Sequence, residues 1–246
     1  MGRAARLCLL VLAVIIGAAR AEAACMSQTY EGNDYTVCRF DLRQDHLQLF
    51  NLDDRGEPYG SFAALSMALE DKGQKLAFGM NAGMYGEDLK PVGLYIEDGR
   101  TLHKLNRRNG PGNFHMKPNG VFFIDGNRGG VMETEAFARS GIRPQFASQS
   151  GPMLVVDGQL HPKFSADGTS LLRRNGVGAP DDHTLVFVIS EDWVNFHSFA
   201  RLFKDRLGCP NALFLDGSIS SLHAPDVGRS DAFMPLGPIV ALVKSP

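Results

Sequence analysis

The chain has 246 residues, 44% of them hydrophobic and 21% charged, with a formal net charge of −2. That is ample chain for a real core, and the balance excludes a disordered chain, a coiled coil and a collagen-like rod. With no basic surplus and no Lys/Arg run longer than two residues, nucleic acid is not an expected partner.

Residues 1–24 read as a secretory signal peptide. Arg3 and Arg6 precede an uncharged apolar run over 7–19, and Ala21-Glu22-Ala23 supplies a small-x-small cleavage site. The run falls short of the roughly 20 residues a stable membrane span needs, so no membrane insertion is expected after cleavage. Glu22, three positions before Cys25, speaks against an acylated cysteine. The mature chain, a single domain over 25–246, is expected to be periplasmic or secreted. Removing 1–24 leaves 22 basic and 26 acidic residues, a net charge of −4.

Export permits disulfides. Cys8 leaves with the signal, and Cys25 and Cys38 flank a short polar stretch, which predicts a bridge stapling the mature N-terminus to the first strand. Cys209 reads as a small buried apolar residue, since no His or Asp lies within two positions of it.

Residues 35–43 and 46–52 alternate in polarity and predict a hairpin. A helix is predicted over 61–72, with Ser61 as N-cap, Phe62, Leu65 and Leu69 as its apolar stripe and Gly73 as its stop. The middle third holds short strands at 94–97, 121–124 and 153–156, each followed by Asp-Gly, a hairpin-turn signature. Residues 184–190 carry no polar alternation and predict a strand buried on both faces. A second helix runs from Phe196 through Phe199, Ala200, Phe203 and Leu207, ending at Gly208 and Pro210. Each helix leads into an apolar run, 76–80 or 212–215, so two crossover units with parallel strand pairs are expected. The expected class is α/β (α+β): one mixed sheet with a few packed helices and two βαβ-like units. Gly73 to Asn81 and Gly208 to Asp216 are spaced identically, and both polar residues close an apolar strand.

Four polar clusters interrupt this pattern. Asn81 and Gly83 leave a buried strand and would place an amide and free backbone N–H groups at a sheet edge, where ligands collect; the alternative is a glycine turn capped by its own Asn. His115, Lys117 and Asn119 fall within five residues and could bind an anion, or line a solvated loop. Arg173 and Arg174 stand beside Gly176-Val177-Gly178, where a guanidinium fork and a Gly-x-Gly turn suit a phosphate or carboxylate. Asp181, Asp182 and His183 then read as an exposed turn. Asp216 emerges from an apolar strand into Gly217, Ser218 and Ser220, as a general acid, base or nucleophile, or as a turn cap. The lipase-type G-x-S-x-G elbow is absent, as are CxxC, HExxH and any metal-ligand spacing, so neither metal nor cofactor is expected.

In order along the chain, Asn81-Ala82-Gly83-Met84-Tyr85, Lys117-Pro118-Asn119-Gly120, Ser150-Gly151-Pro152-Met153, Arg174-Asn175-Gly176-Val177-Gly178 and Leu215-Asp216-Gly217-Ser218-Ile219-Ser220 resemble the bacterial branch of the phosphodiester glycosidase family. The resemblance covers about residues 45–245. It implies hydrolysis of a sugar's anomeric C–O bond with a phosphodiester as leaving group, the substrate being a small-molecule or glycan phosphodiester. Carried over residue by residue, it implies Asp216 and Arg174 as catalytic, with Asn81, Gly83, Lys117, Asn119, Gly178, Gly217 and Ser220 binding substrate. Glu87, Asp88 and Asp182 are candidate second carboxylates. Ala82, Ser218 and Ile219 depart from the glycines of the family's animal pattern, which leaves room for a binding module for anionic glycans. A metal-dependent phosphodiesterase cutting P–O is the third alternative.

Overall fold

The computed structural model describes residues 24–216 and 219–245; the predicted signal segment with its Cys8, and Gly217 and Ser218, lie outside the described residues. In chain order the elements are β1 (Cys25–Tyr30), β2 (Asn33–Asp41), β3 (Leu47–Phe50), α1 (Phe62–Glu70), β4 (Lys75–Asn81), β5 (Tyr95–Glu97), β6 (Arg100–His103), β7 (Gly120–Asp125) and β8 (Arg128–Glu133). There follow α2 (Thr134–Ser140), β9 (Phe146–Ser150), β10 (Met153–Val156), β11 (Gln159–Leu160), β12 (Asn175–Asp181), β13 (Thr184–Ser190), α3 (Phe196–Arg201), β14 (Asn211–Asp216), β15 (Leu222–Ala224), β16 (Arg229–Ser230) and β17 (Ile239–Lys244).

These strands form three sheets in the orders β1-β2-β13-β12-β14-β10-β11, β16-β15-β4-β17-β3 and β6-β5-β9-β7-β8. Each sheet turns one face to a common core and the other to a single helix. Phe40, Phe187 and Leu213 from the first sheet, Phe78, Met80 and Val240 from the second, and Phe122 and Ile124 from the third share the central cluster. Phe187 is the hinge of it, with ring centroids 6.1 Å from Phe40, 5.6 Å from Phe78 and 5.8 Å from Phe122. Each such pair adds about 0.5–1.5 kcal/mol beyond the area it buries. On the outer faces α3 covers Val186, Val188 and Phe214, α1 covers Ile239 and Ala241, and α2 presents Phe137 to Val121 and Ala147. Burial on both faces is why residues 184–190 show no polar alternation.

The single-domain α+β class holds, and the two crossover units take a split form. Every ladder between named strands is antiparallel. The helix-linked strands β13 and β14 do run parallel, but β12 lies between them and pairs with both. β3 and β4 likewise straddle β17. The expected adjacent parallel pairs are therefore corrected: a sequence-distant strand fills each gap.

A second correction concerns 35–43 and 46–52, which are not a hairpin. β2 pairs with β1 and β13, whereas β3 pairs with β17 in another sheet. Phe40 and Leu42 before the corner, and Leu47 and Leu49 after it, all reach the common core, so their alternation is real while their partners differ. The three Asp-Gly sites do close hairpins, at β5–β6, β7–β8 and β10–β11. Asp98-Gly99 and Asp157-Gly158 both have positive φ, as a type I′ turn requires. Glu31-Gly32 between β1 and β2 is a further turn of this kind that the sequence reading missed.

Ser61 caps α1 as expected, its Oγ accepting from the Ala64 N–H at 3.1 Å. The second helix is regular only to Arg201 and widens to a π-helical turn over Leu202–Arg206. Cys25 and Cys38 are opposite each other in the β1–β2 register and form the predicted disulfide. Cys209 is buried, and burial pushes its thiol up to about 12, the inert behaviour expected of it. Among the described residues no helix is long and apolar enough to cross a membrane.

Candidate active site

All three sheets deliver a strand end to one polar junction. β4 ends at Asn81, β9 at Ser150 and β14 at Asp216, while β12 begins at Asn175 and β15 follows Ser221. Asn175 is the knot. Its Nδ2 donates to the Asn81 carbonyl oxygen at 3.0 Å and to Asn81 Oδ1 at 2.9 Å, and its Oδ1 accepts from the Asp216 N–H at 2.9 Å. Asn81 Oδ1 also accepts from the Ser221 N–H at 2.9 Å, and Ser150 Oγ donates to the Leu215 carbonyl at 2.9 Å. Ser220 Oγ donates to the Asp216 carbonyl at 2.8 Å. Asn81, Ser150 and Asn175 are fully buried, whereas Asp216 is half-buried at the strand's end and reaches water. One polar atom of this network is left over: Asn81 Nδ2 is buried and has no hydrogen-bond partner among the described residues.

Arg174 precedes Asn175 and therefore points to the opposite face of β12. Its guanidinium carbon lies 3.8 Å above the centre of the Phe196 ring and 5.5 Å from that of Phe214, two residues before Asp216. Arg174 Nε donates to the Val194 carbonyl and Nη2 to that of Ser170, both at 2.8 Å. Nη1 is buried without a partner among the described residues. Burial alone draws this guanidinium down to about 10, so it stays charged at neutral pH. The aromatic stack continues outward, Phe196 on Phe164 at 4.9 Å and Phe164 on His161 at 4.6 Å. His161 is buried too, and desolvation holds it down at about 4, hence neutral.

The other predicted residues have structural tasks in view. Gly83 has φ +152, and a Cβ there would stand 2.7 Å from Ser148 Oγ, so it lets the segment after β4 press against β9. Asn119 Nδ2 holds the Phe114 carbonyl at 2.8 Å and its Oδ1 accepts from Thr134 Oγ1. Lys117 is exposed and donates to the Arg107 carbonyl at 2.9 Å. The expected Gly-x-Gly turn is corrected: Gly176 and Gly178 lie within β12. A Cβ on Gly178 would meet Cys209 Sγ at 2.6 Å and Phe203 at 2.7 Å, so this glycine admits the helix and stands far up the strand from Asn175. Gly217 lies outside the described residues. Asp182 pairs with Arg128 at the far end of β12, away from Asp216. Glu87 and Asp88 are exposed in the loop after Tyr85, where Asp88 caps its own turn through the Lys90 N–H.

Asn175, Ser150 and Tyr85 were not predicted as site residues. Tyr85 donates to the Pro235 carbonyl at 2.8 Å, and burial together with the charge of Asp216 raises its phenol. It also lines a hollow of about 280 Å³ with Met84, Asn113, Phe114 and His115. A larger cavity, about 620 Å³, sits at the opposite end of β4 among Arg39, Lys75, Asp226 and Lys244 and holds none of the predicted residues. Among the described residues no group of three or more His, Cys, Asp or Glu is arranged to hold a metal ion.

The chain belongs to the phosphodiester glycosidase family, whose sequence profile matches residues 74–229. Over 214 residues it is 35% identical to YigE, an uncharacterised protein of Escherichia coli (strain K12), covering 87% of this chain and 82% of that one. Among solved structures it resembles the catalytic domain of zebrafish N-acetylglucosamine-1-phosphodiester alpha-N-acetylglucosaminidase, auto-inhibited by its pro-peptide. That match has a TM-score of 0.57 at 14% identity and covers 89% of this chain and 81% of the other. A putative exported protein of Burkholderia pseudomallei K96243 matches with a TM-score of 0.54 at 12% identity, over 85% of this chain and 74% of that one. At these identities the two structures speak for the fold.

Proposed function

We propose that this chain is an exported hydrolase that cleaves the glycosidic C–O bond of a sugar-1-phosphodiester, with Asp216 and Arg174 as its catalytic pair. The observation that carries the reading is the fully buried Nδ2 of Asn81, without a partner among the described residues and tied through Asn175 to the backbone of Asp216. A buried N–H without a partner costs about 1–3 kcal/mol, and a sugar hydroxyl or acetamide oxygen placed against Asp216 would satisfy it. Ser220 is the second proposed sugar contact and Lys117 a lesser phosphate contact. Gly217 is a further proposed substrate contact, and Gly83, Asn119 and Gly178 hold the surrounding loops and strand.

The chemistry suits these groups. As the anomeric C–O bond breaks, its electron pair leaves on a phosphate that is already an anion, so protonation by an enzyme acid contributes little. Positive charge near that phosphate contributes more, and Arg174, charged in apolar surroundings, acts there at low dielectric. Positive charge grows on the sugar ring, and the Asp216 carboxylate stabilises it and either attacks the anomeric carbon or takes a proton from the water that does. The products are the free sugar and a phosphomonoester. An envelope or exopolysaccharide phosphodiester fits an exported enzyme.

Turnover of a GlcNAc-1-phosphodiester by the wild type and by Asp216→Asn tests this. A loss on the order of a thousandfold is expected, whereas equal rates remove Asp216 from the chemistry.

A further inference from the structure

Between Asp98 and Asp125 the chain has no acidic residue but carries Arg100, Lys104, Arg107, Arg108 and Lys117, with two histidines among them. In a chain of net negative charge this is a local reversal of sign. The fold gathers much of it into one surface. Lys117 donates to the Arg107 carbonyl, and His115 Nδ1 contacts the Arg108 carbonyl at 3.1 Å, so the 113–117 segment folds back over 107–108. Lys104, Arg108 and Lys117 are exposed, and of the five cations Arg107 is the one that pairs with a carboxylate among the described residues, that of Glu135. Glu133, the other acid nearby, is engaged in capping α2.

This basic surface borders the candidate site on two sides. His115 lines the hollow shared with Tyr85, whose phenol feels the charge of Asp216. Met116, the next residue, lines a second hollow of about 170 Å³ with Lys163, Ser170 and Phe196. Ser170 and Phe196 are the residues that hold Arg174, whose buried Nη1 has no partner among the described residues. Exposed cations thus stand about these hollows: Lys104 and Arg108 line a further one of about 390 Å³, and Lys163 lines the one that reaches the residues holding Arg174.

We propose that this surface is a track for a polymeric substrate, a glycan whose repeating units are joined by phosphodiesters. One phosphate is held near Arg174 while its neighbours along the chain lie on Lys104, Arg108 and Lys163. A single sugar phosphodiester has no use for cations so far out, whereas a repeating polyanion gains from each. The inference rests on the hydrolase reading for the identity of the polymer, but its physical content is tested separately.

Binding of long-chain inorganic polyphosphate and of tripolyphosphate is measured by calorimetry across a salt series, for the wild type and for the double variant Lys104→Glu/Arg108→Glu. The wild type is expected to prefer the long chain and to lose it with rising salt, and the variant to bind it about tenfold more weakly with a shallower salt slope. In parallel, turnover of a GlcNAc-1-phosphodiester should be unchanged in the variant, while turnover of an oligomer of GlcNAc-1-phosphate repeats should fall. Polyphosphate binding that is equal in the two proteins overturns the track and leaves the hydrolase reading standing. Loss of polyphosphate binding in a protein that turns over neither substrate keeps the surface and overturns the hydrolase reading. Tighter binding of a single-stranded DNA oligomer of equal charge, or of phosphatidylglycerol vesicles, than of polyphosphate overturns the assignment to a glycan phosphate.

Discussion

Replacing Asn175 with alanine separates a positioning role from a purely structural one. Its side chain is fully buried and makes three hydrogen bonds, two to Asn81 and one to the Asp216 N–H. Asn81 Oδ1 keeps the Ser221 N–H after the substitution, so two groups are stripped: the Asn81 carbonyl and the Asp216 N–H. At about 1–3 kcal/mol for each buried polar group left unpaired, Asn175→Ala should cost about 2–6 kcal/mol. Leu65→Ala, in the fully buried face of α1, should cost a similar amount, about 2–5 kcal/mol. Urea unfolding gives both stabilities, and steady-state kinetics on a GlcNAc-1-phosphodiester gives the function. With its carboxylate free to shift by an ångström, Asn175→Ala should lose kcat by on the order of a hundredfold with little change in KM. Leu65→Ala, equally destabilised, should retain its kcat. If Asn175→Ala keeps kcat within a factor of two, or if both variants fall together, Asn175 does not position Asp216.

Two further outcomes are expected. His161 titrates at about 4 when folded against 6.5 when exposed, so between those values the unfolded chain binds the extra proton. Its contribution to stability is complete above pH 6.5 and is lost as pH falls toward 4, by up to about 3 kcal/mol; His161→Phe should flatten that part of a urea-midpoint profile, and an unchanged profile contradicts the assignment. The Cys25–Cys38 bridge closes a loop with a sequence separation of 13, so Cys25→Ser/Cys38→Ser should lower unfolding free energy by about 2–3 kcal/mol while leaving turnover intact; a loss of turnover in the folded variant contradicts that separation of roles.

What the sequence disclosed and what it withheld follow from the range of the interactions. Residues 184–190 and 212–215 are strands because nothing polar interrupts their interiors, and the turns at Asp98-Gly99 and Asp157-Gly158 declare themselves because two positive φ values need those residues. Periodicity names a buried face but not its partner, which is why β2 and β3 read as a hairpin although they join different sheets. The same blindness hid β12 and β17 as the strands inserted between β13 and β14 and between β3 and β4, since β17 pairs with residues more than 150 positions away.

The site divides along the same line. Asn81 and Asp216 were legible because each is a polar residue closing an apolar strand. Asn175 was not, because its neighbours Arg174 and Gly176 invite the reading of a charged glycine turn. Strand alternation is the signal that could have found it: Asn175 is the first residue of β12 on the face that Val177 and Ala179 turn to the core, opposite to Arg174.

Hydrolysis of a GlcNAc-1-phosphodiester by the wild-type protein in oxygen-18 water bears most directly on the central claim that Asp216 and Arg174 act at the anomeric carbon. The account predicts the heavy oxygen in the released sugar, the mark of C–O cleavage. Label recovered in the phosphate instead means that the P–O bond breaks and contradicts it.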